Sequence, residues 1–298
     1  MIMVGLESNH AIAQSSRNRR GRVLFISHGS PSYAAEDNPT VRFWTEFGSK
    51  WTASFEAAIV ISAHAHGRAT LRGGGAQSTL AFDFTGFPEA RYEQRWSPPL
   101  GYEPGRAIVS ALQSVGMPVD QDPEGSLDHG VWVPLKAMWP APTFPVFSLT
   151  LPEDPDLDHW WQMGERMALL LDRPYLWIGS GGIVHNLREL DWSRRFGSGA
   201  PWAQAFSDWV IEALARGDRE RITHPESGPG GIRAVPTREH YAPLALVAAL
   251  AQPERLVPLY QGFDYGSLSL HIFGDPGMHL ERNHSSHHPL ETLSHAEA

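Results

Sequence analysis

R-V-L-F-I-S-H-G-S-P, Arg22 to Pro31, is an apolar, β-branched run that stops on a histidine, a glycine and a proline. The run is too short for a helix and is bounded by turn residues, so it reads as a buried strand. A core strand has no need of a histidine at its end. The glycine and proline turn the chain sharply and leave the imidazole of His28 at the mouth of the sheet. The same device recurs twice: A-A-I-V-I-S-A-H, Ala57 to His64, ends on a histidine, and Y-L-W-I-G-S-G-G-I-V-H, Tyr175 to His185, carries one just past its glycines. Three predicted strands thus bring three histidines to one edge.

Between the first two runs, Asn38-Pro39 reads as an N-cap followed by proline at the first helical position, and Val41, Trp44, Phe47 and Trp51 recur at helical spacing. This is a β-α-β unit. Strands joined in this way are parallel, and in open α/β sheets ligands sit outside their carboxyl ends. Further along, Ala69 to Gly73 reads as a short strand and Phe82 to Pro88 as an aromatic loop. Pro104 to Val115 reads as a helix ended by Gly116, and Met117 to Val119 as the start of an edge strand. His129 lies in L-D-H-G-V-W-V-P-L, Leu127 to Leu135, in a predicted turn before an apolar segment that ends at Trp139. Phe144 to Leu151 is a further buried strand. Asp154 to Leu171 and Pro201 to Arg216 are amphipathic helices, and Ser227 to Gly231 is a loop. Thr237 is a predicted N-cap for a helix running through Ala251, and Leu256 to Tyr260 and Ser267 to Phe273 complete the core. The fold class predicted is α/β: a single domain with a central, mostly parallel sheet flanked by helices, and a metal site at the carboxyl edge of the strands. Residues 1–20 read as a mobile N-terminal lead-in, 21–278 as the domain, and 279–298 as a polar, histidine-rich tail.

Composition narrows the function classes. A chain of 298 residues with 42% hydrophobic and 19% charged residues can bury a sizeable core. The formal net charge of −9 argues against nucleic acid or an anionic membrane as main partner, because both require a basic face. The absence of cysteine excludes disulfides, thiolate nucleophiles and cysteine-ligated metals, so any metal here rests on His, Asp or Glu. The first twenty residues lack the apolar segment of a signal peptide. The longest apolar helical stretch, Ala242 to Ala251, is about half of what a bilayer span needs. The expected location is cytoplasmic, with no membrane partner.

Fifteen histidines is about twice the usual share, and several are expected to be bland. His279, His284, His287, His288 and His295 fall in the polar tail, and His10, His159 and His224 on predicted surface segments. His66 and His271 are undecided from pattern alone. The five that remain, His28, His64, His129, His185 and His240, each follow a strand end or open a helix, and His28, His129 and His185 stand beside Gly, Ser or Asn. Neutral imidazoles meeting at one point suit divalent zinc or iron. At Glu239-His240 only one of the two side chains is expected to face the ion, because neighbours on a helix point about 100° apart.

H-G-S-P, S-A-H, L-D-H-G-V-W-V-P-L, G-S-G-G-I-V-H-N-L and P-T-R-E-H-Y-A-P-L, taken in order, resemble the class III extradiol ring-cleavage dioxygenases, in the branch named for 4,5-DOPA dioxygenase. The resemblance covers roughly Val23 to Phe273. It implies an extradiol (meta) opening of a catecholic ring, such as that of DOPA, by O2 at a mononuclear non-haem metal. Fe(II) is the implied cofactor, with Zn(II) able to occupy the same ligands. The implied metal ligands are His28, His64 and His240, with His185 either a fourth ligand or a proton carrier, and His129 is the implied acid/base. The implied partners are a small aromatic diol and O2, and oligomeric state is left open. Two other readings fit the same histidines: a zinc-dependent hydrolase of an amide or ester with Glu239 as base, and a non-catalytic metal-binding protein on the same fold.

Overall fold

In the computed structural model, which describes residues 21–51, 55–89, 92–154 and 156–278, the run that opened the reading is strand β1, Arg22–Ser27. Its alternate residues face opposite ways. Val23 and Phe25 join one core cluster, and Leu24 and Ile26 join a second on the other face of the sheet. Burial on both faces is why the strand reads as unbroken apolar sequence with no polar alternation.

Helix α1, Pro39–Lys50, begins as expected: Asn38 Oδ1 accepts from the Val41 amide at 2.9 Å, and Pro39 fills the first position, where its missing N–H costs nothing. Trp44 and Phe47 point inward. The chain then enters β2, Ala57–Ser62. Following it come β3 (Thr70–Arg72), α2 (Tyr102–Ser114), β4 (Asp120–Asp122), α3 (His129–Met138), β5 (Val146–Thr150), α4 (Leu157–Met167) and β6 (Tyr175–Gly181). Helices α5 (Pro201–Arg216), α6 (Arg219–Thr223), α7 (Gly231–Ala234) and α8 (Ala242–Leu250) precede β7 (Val257–Tyr260), the hairpin β8 (Phe263–Asp264) and β9 (Leu268–Ser269), and β10 (Ile272–Gly274).

Eight strands form one sheet in the order β4-β3-β5-β2-β6-β1-β10-β7. Its centre, β5-β2-β6-β1, is wholly parallel, whereas β10 and β7 add antiparallel pairs at one end. Helices α1 and α3 cover one face, with Trp44, Phe47, Val131 and Leu135 in its cluster. Helices α2, α4, α5 and α8 cover the other, with Ile108, Trp160, Phe206 and Leu246. This is a single α/β domain with a mostly parallel sheet between helices. The decisive topological point is that β6 lies between β1 and β2. Ser27 is level with Gly181, and Ser62 is level with Ser180, so the three histidine-bearing strands end side by side.

Several boundaries differ from the sequence reading. The edge strand begins at Asp120, three residues after Met117, because its register is set by parallel pairing of Thr70 with Asp120, while Met117 and Val119 are buried in the connection. His129 is the first residue of α3 and not part of a loop turn, since Asp128 caps the helix. Around Ser227 to Gly231 the chain forms a 3-10 turn at Pro225–Ser227 and then α7, where a bare loop was expected. The last long helix starts at Ala242, so Thr237 is not its cap and Glu239-His240 precede it. Pro243 is the reason: proline is tolerated in the first turn of a helix, but a start at Glu239 would have placed it deeper, costing a hydrogen bond and creating a clash. All nine residues of α8 are buried, and among the described residues no helix is long and apolar enough to cross a membrane. The lead-in, the tail and their histidines lie outside the described residues.

Candidate metal centre

Each histidine is delivered by a local device. After β1, Gly29 takes φ +66°, and a Cβ there would run into the ring of Tyr33, so only glycine makes the turn that leaves His28 at the strand's end. His64 follows β2, its amide donating to Ser62 Oγ at 3.2 Å. His129 opens α3. His185 lies four residues past β6, its amide bonded to the Ala234 carbonyl at 3.0 Å. His240 sits in the turn before α8, held by a 2.8 Å bond from the Gly182 amide to its carbonyl.

The five rings form one contiguous group. Centroids of His28 and His64 are 4.9 Å apart, His64 and His129 4.1 Å, and His28 and His240 5.4 Å, while His185 lies flat on His240 at 3.6 Å and 6°. Within the group, ring nitrogens of His28, His64 and His240 all lie within 4.8 Å of one another. His185 stands outside that trio, against the face of His240. Burial, reinforced by the neighbouring imidazoles, drives His28 well below the ordinary histidine range and His64 down to about 2; burial and then His240 bring His185 down to about 3. These three imidazoles are therefore neutral, with lone pairs available at neutral pH.

Hydrogen bonding decides where two of those lone pairs lie. Pro134 has no N–H, so the carbonyl of Gly130, four residues earlier in α3, has no intrahelical partner. Ser180 Oγ donates its only proton to that carbonyl at 2.6 Å, and so must accept from His28 Nδ1, 3.0 Å away. His28 thus carries its proton on Nδ1, and Nε2 faces the cluster. Likewise Glu239 Oε1 can only accept from His240 Nδ1 at 3.1 Å, leaving His240 Nε2 free; that bond, with a second from Thr237, holds the Glu239 carboxyl down to about 2. Of the pair Glu239 and His240, it is His240 that faces the trio. Asp128 ties the frame together by accepting from Ser62 Oγ at 2.6 Å and the Gly130 amide at 2.9 Å; burial pushes its carboxyl above the usual aspartate range.

A divalent ion fits this donor set. His28 Nε2 and His64 Nε2 are 3.1 Å apart. Two nitrogens each about 2.1 Å from one ion stand roughly 3.0–3.4 Å apart across angles of about 90–109°. A carboxylate or carbonyl on the far nitrogen of a ligating imidazole, as Glu239 is here, is the usual support for such a ligand.

A family model for the catalytic LigB subunit of aromatic ring-opening dioxygenase matches residues 22–261. The chain belongs to the LigB family. The match runs from the start of β1 to just past β7 and takes in all five histidines. Among relatives, 4,5-DOPA dioxygenase extradiol of Escherichia coli (strain K12) is 33% identical over 252 residues, covering 83% of this chain and 92% of that one. The Beta vulgaris protein of the same name is 32% identical over 253 residues, covering 83% and 93%. The fold is similar to the crystal structure of an uncharacterized protein from Escherichia coli K12, with TM-score 0.68 and 26% identity over 85% of this chain and 99% of that one. The LigB relationship supports an oxygenase, a metal-dependent class, and the histidine cluster offers donors suited to holding such an ion.

Other histidines fall elsewhere. His66 donates from Nε2 to the Ala63 carbonyl at 2.7 Å, outside the cluster. His271 is a core residue between the rings of Phe263 and Phe273, driven down to about 4 by burial. His159 pairs with Asp154 at the surface. Trp132 and Tyr241 are fully buried, so they pack the core instead of facing a ligand. The sequence reading missed Asp83, whose Oδ1 accepts from the His129 amide at 3.0 Å and Oδ2 from His129 Nδ1 at 2.9 Å, and Phe84, whose edge meets His129 with centroids 5.7 Å apart. The available signal was a lone carboxylate between two phenylalanines in the aromatic loop.

One consequence is local to the backbone. A Cβ at Gly181 would collide with the His240 carbonyl. Gly181→Ala is expected to displace His240 and weaken Zn(II) affinity by about 10–100-fold with the fold kept. Calorimetric titration beside circular dichroism measures this; unchanged affinity would show that His240 tolerates the shift.

Proposed function

We propose that this LigB-family chain catalyses extradiol ring opening of a catecholic diol such as DOPA by O2, with His28, His64 and His240 holding a single Fe(II) ion. The observation that carries the reading is a trio of imidazoles in which two nitrogens are fixed as lone-pair donors by Ser180 and Glu239, on a chain whose relatives are named as extradiol dioxygenases. When bound, a redox-active divalent ion supplies Lewis acidity toward a diol and electron transfer between diol and dioxygen.

The chain's own residues do the rest. His129, with Nδ1–H committed to Asp83, presents Nε2 as the acceptor for a diol proton. His185 is the second proton carrier in this reading, because it lies against a ligand ring without joining the trio. Phe84 walls the site beside His129 and keeps bulk water from the base. The hydrolase alternative is disfavoured by Glu239, whose Oε1 accepts from Thr237 and from the far nitrogen of His240, which places the carboxylate behind that ring and not beside a water in the trio.

Anaerobic reconstitution of metal-free protein with Fe(II), followed by oxygen uptake on adding L-DOPA, protocatechuate or plain catechol, tests the proposal. One O2 consumed per yellow ring-opened product is expected, with none when Zn(II) fills the site, since zinc exchanges no electrons. No uptake with any catechol despite stoichiometric iron would overturn it, and ester turnover by the zinc form would favour the hydrolase.

A further inference from the structure

We infer that Asp83 is a positioning residue for the proposed reaction, fixing His129 in one tautomer and one orientation so that its Nε2 lone pair faces the histidine cluster. The inference rests on the ring-opening reading for its kinetic consequence, but its structural content stands independently.

Both carboxylate oxygens of Asp83 are committed to a single residue 46 positions away: Oδ1 takes the backbone amide of His129 and Oδ2 takes ring Nδ1. A carboxylate has no proton to give, so His129 Nδ1 is the donor. The grip at the backbone removes the freedom that a ring contact alone would leave. The amide concerned is the first of α3, one of the donors that a helix leaves unpaired, and a carboxylate is favoured there by the helix dipole. Burial alone would raise the Asp83 carboxyl, but the hydrogen bonds from His129 hold it below the usual aspartate range, so it is an anion at neutral pH.

The loop is braced on both sides of the aspartate. Phe82 lies edge-on to Trp132 at 5.7 Å and Phe84 packs on Tyr92 at 5.2 Å. A carboxylate on an unbraced loop would sample many positions; here two aromatic anchors hold it. The competing use of the same atoms is a second cation between His64, Asp83 and His129, whose candidate donors also lie within 4.8 Å of one another. The Asp83 to His129 contacts are already complete hydrogen bonds, and His64 Nδ1 stands 4.0 Å from Oδ2, beyond hydrogen-bond reach.

Asp83→Asn is the informative variant. The amide has one acceptor, and the His129 backbone N–H claims it. The NH2 group is then turned to His129 Nδ1, which must accept, and the ring proton moves to Nε2. In zinc-loaded protein with 15N-labelled histidine, the His129 resonances are expected to change from Nδ1-protonated to Nε2-protonated. In the iron enzyme kcat is expected to fall by about 10²–10⁴-fold, with KM within about threefold and one metal ion per chain retained. Asp83→Glu, which keeps an acceptor-only group, should retain the Nδ1-protonated signature and recover activity above the Asn variant. An unchanged tautomer, or wild-type kcat, in Asp83→Asn would overturn the assignment. So would two metal ions per wild-type chain falling to one in the variant. A tautomer switch in a protein that consumes no oxygen with any catechol would uphold the role of Asp83 and reject the ring-opening reading.

Discussion

His28→Ala is expected to abolish stoichiometric metal uptake and all metal-dependent turnover. His28 is only 2% exposed, and its Nδ1–H is engaged by Ser180, so Nε2 is its single contribution to the trio. Alanine removes that donor and leaves the Ser180 hydroxyl without the proton it accepts. The unmet acceptor and the small cavity are expected to cost about 1–3 kcal/mol of stability in the metal-free protein, which leaves it folded. The signature is in the linkage. At a thousandfold excess over its dissociation constant, Zn(II) should stabilise wild-type protein by about 4 kcal/mol, and should stabilise the variant by none. Elemental analysis after gel filtration, with thermal unfolding at several zinc concentrations, reads both effects. His66→Ala is the control, because His66 bonds the Ala63 carbonyl away from the trio and its loss should leave uptake intact. One ion per chain in His28→Ala, with the wild-type thermal gain, would remove His28 from the ligand set.

His129→Ala should lower kcat for ring opening by about 10²–10⁴-fold while metal content stays at one ion per chain. The ring lies 4.1 Å from His64 by centroids, close enough to reach a diol held at the trio, yet its Nδ1 is occupied by Asp83 and it makes no part of the group formed by His28, His64 and His240. Proton transfer and metal retention should therefore separate in this variant, whereas in His28→Ala they fail together. Steady-state oxygen uptake alongside iron content measures the separation. Wild-type turnover would deny His129 the proton role, and loss of iron would move it into the ligand set.

What the sequence determined by itself was considerable, because it was written in local pattern. Apolar runs that stop at a histidine or at turn residues located β1, β2 and β6 and the histidines at their ends, since a strand buried on both faces stays apolar along most of its length. Asn38-Pro39 marked the start of α1 because capping is a contact between residues three apart. The ordered motifs around five histidines pointed to the family that the comparisons then showed. Misplaced boundaries came from local signals outweighed by others nearby, as when Thr237 looked like a cap but Pro243 fixed where α8 begins.

Tertiary structure alone decided which nitrogens meet and which way they point. Insertion of β6 between β1 and β2 puts Ser180 beside His28, 152 residues away in sequence, and Pro134 matters to His28 only because Ser180 comes to lie against the carbonyl it leaves open. Asp83 is invisible to periodicity for the same reason: its partner is 46 residues off, on a helix whose placement depends on the core of one whole sheet face. Hydrophobic pattern is a property of neighbours along the chain, whereas the tautomer of an imidazole depends on atoms brought within about 3 Å of it by packing.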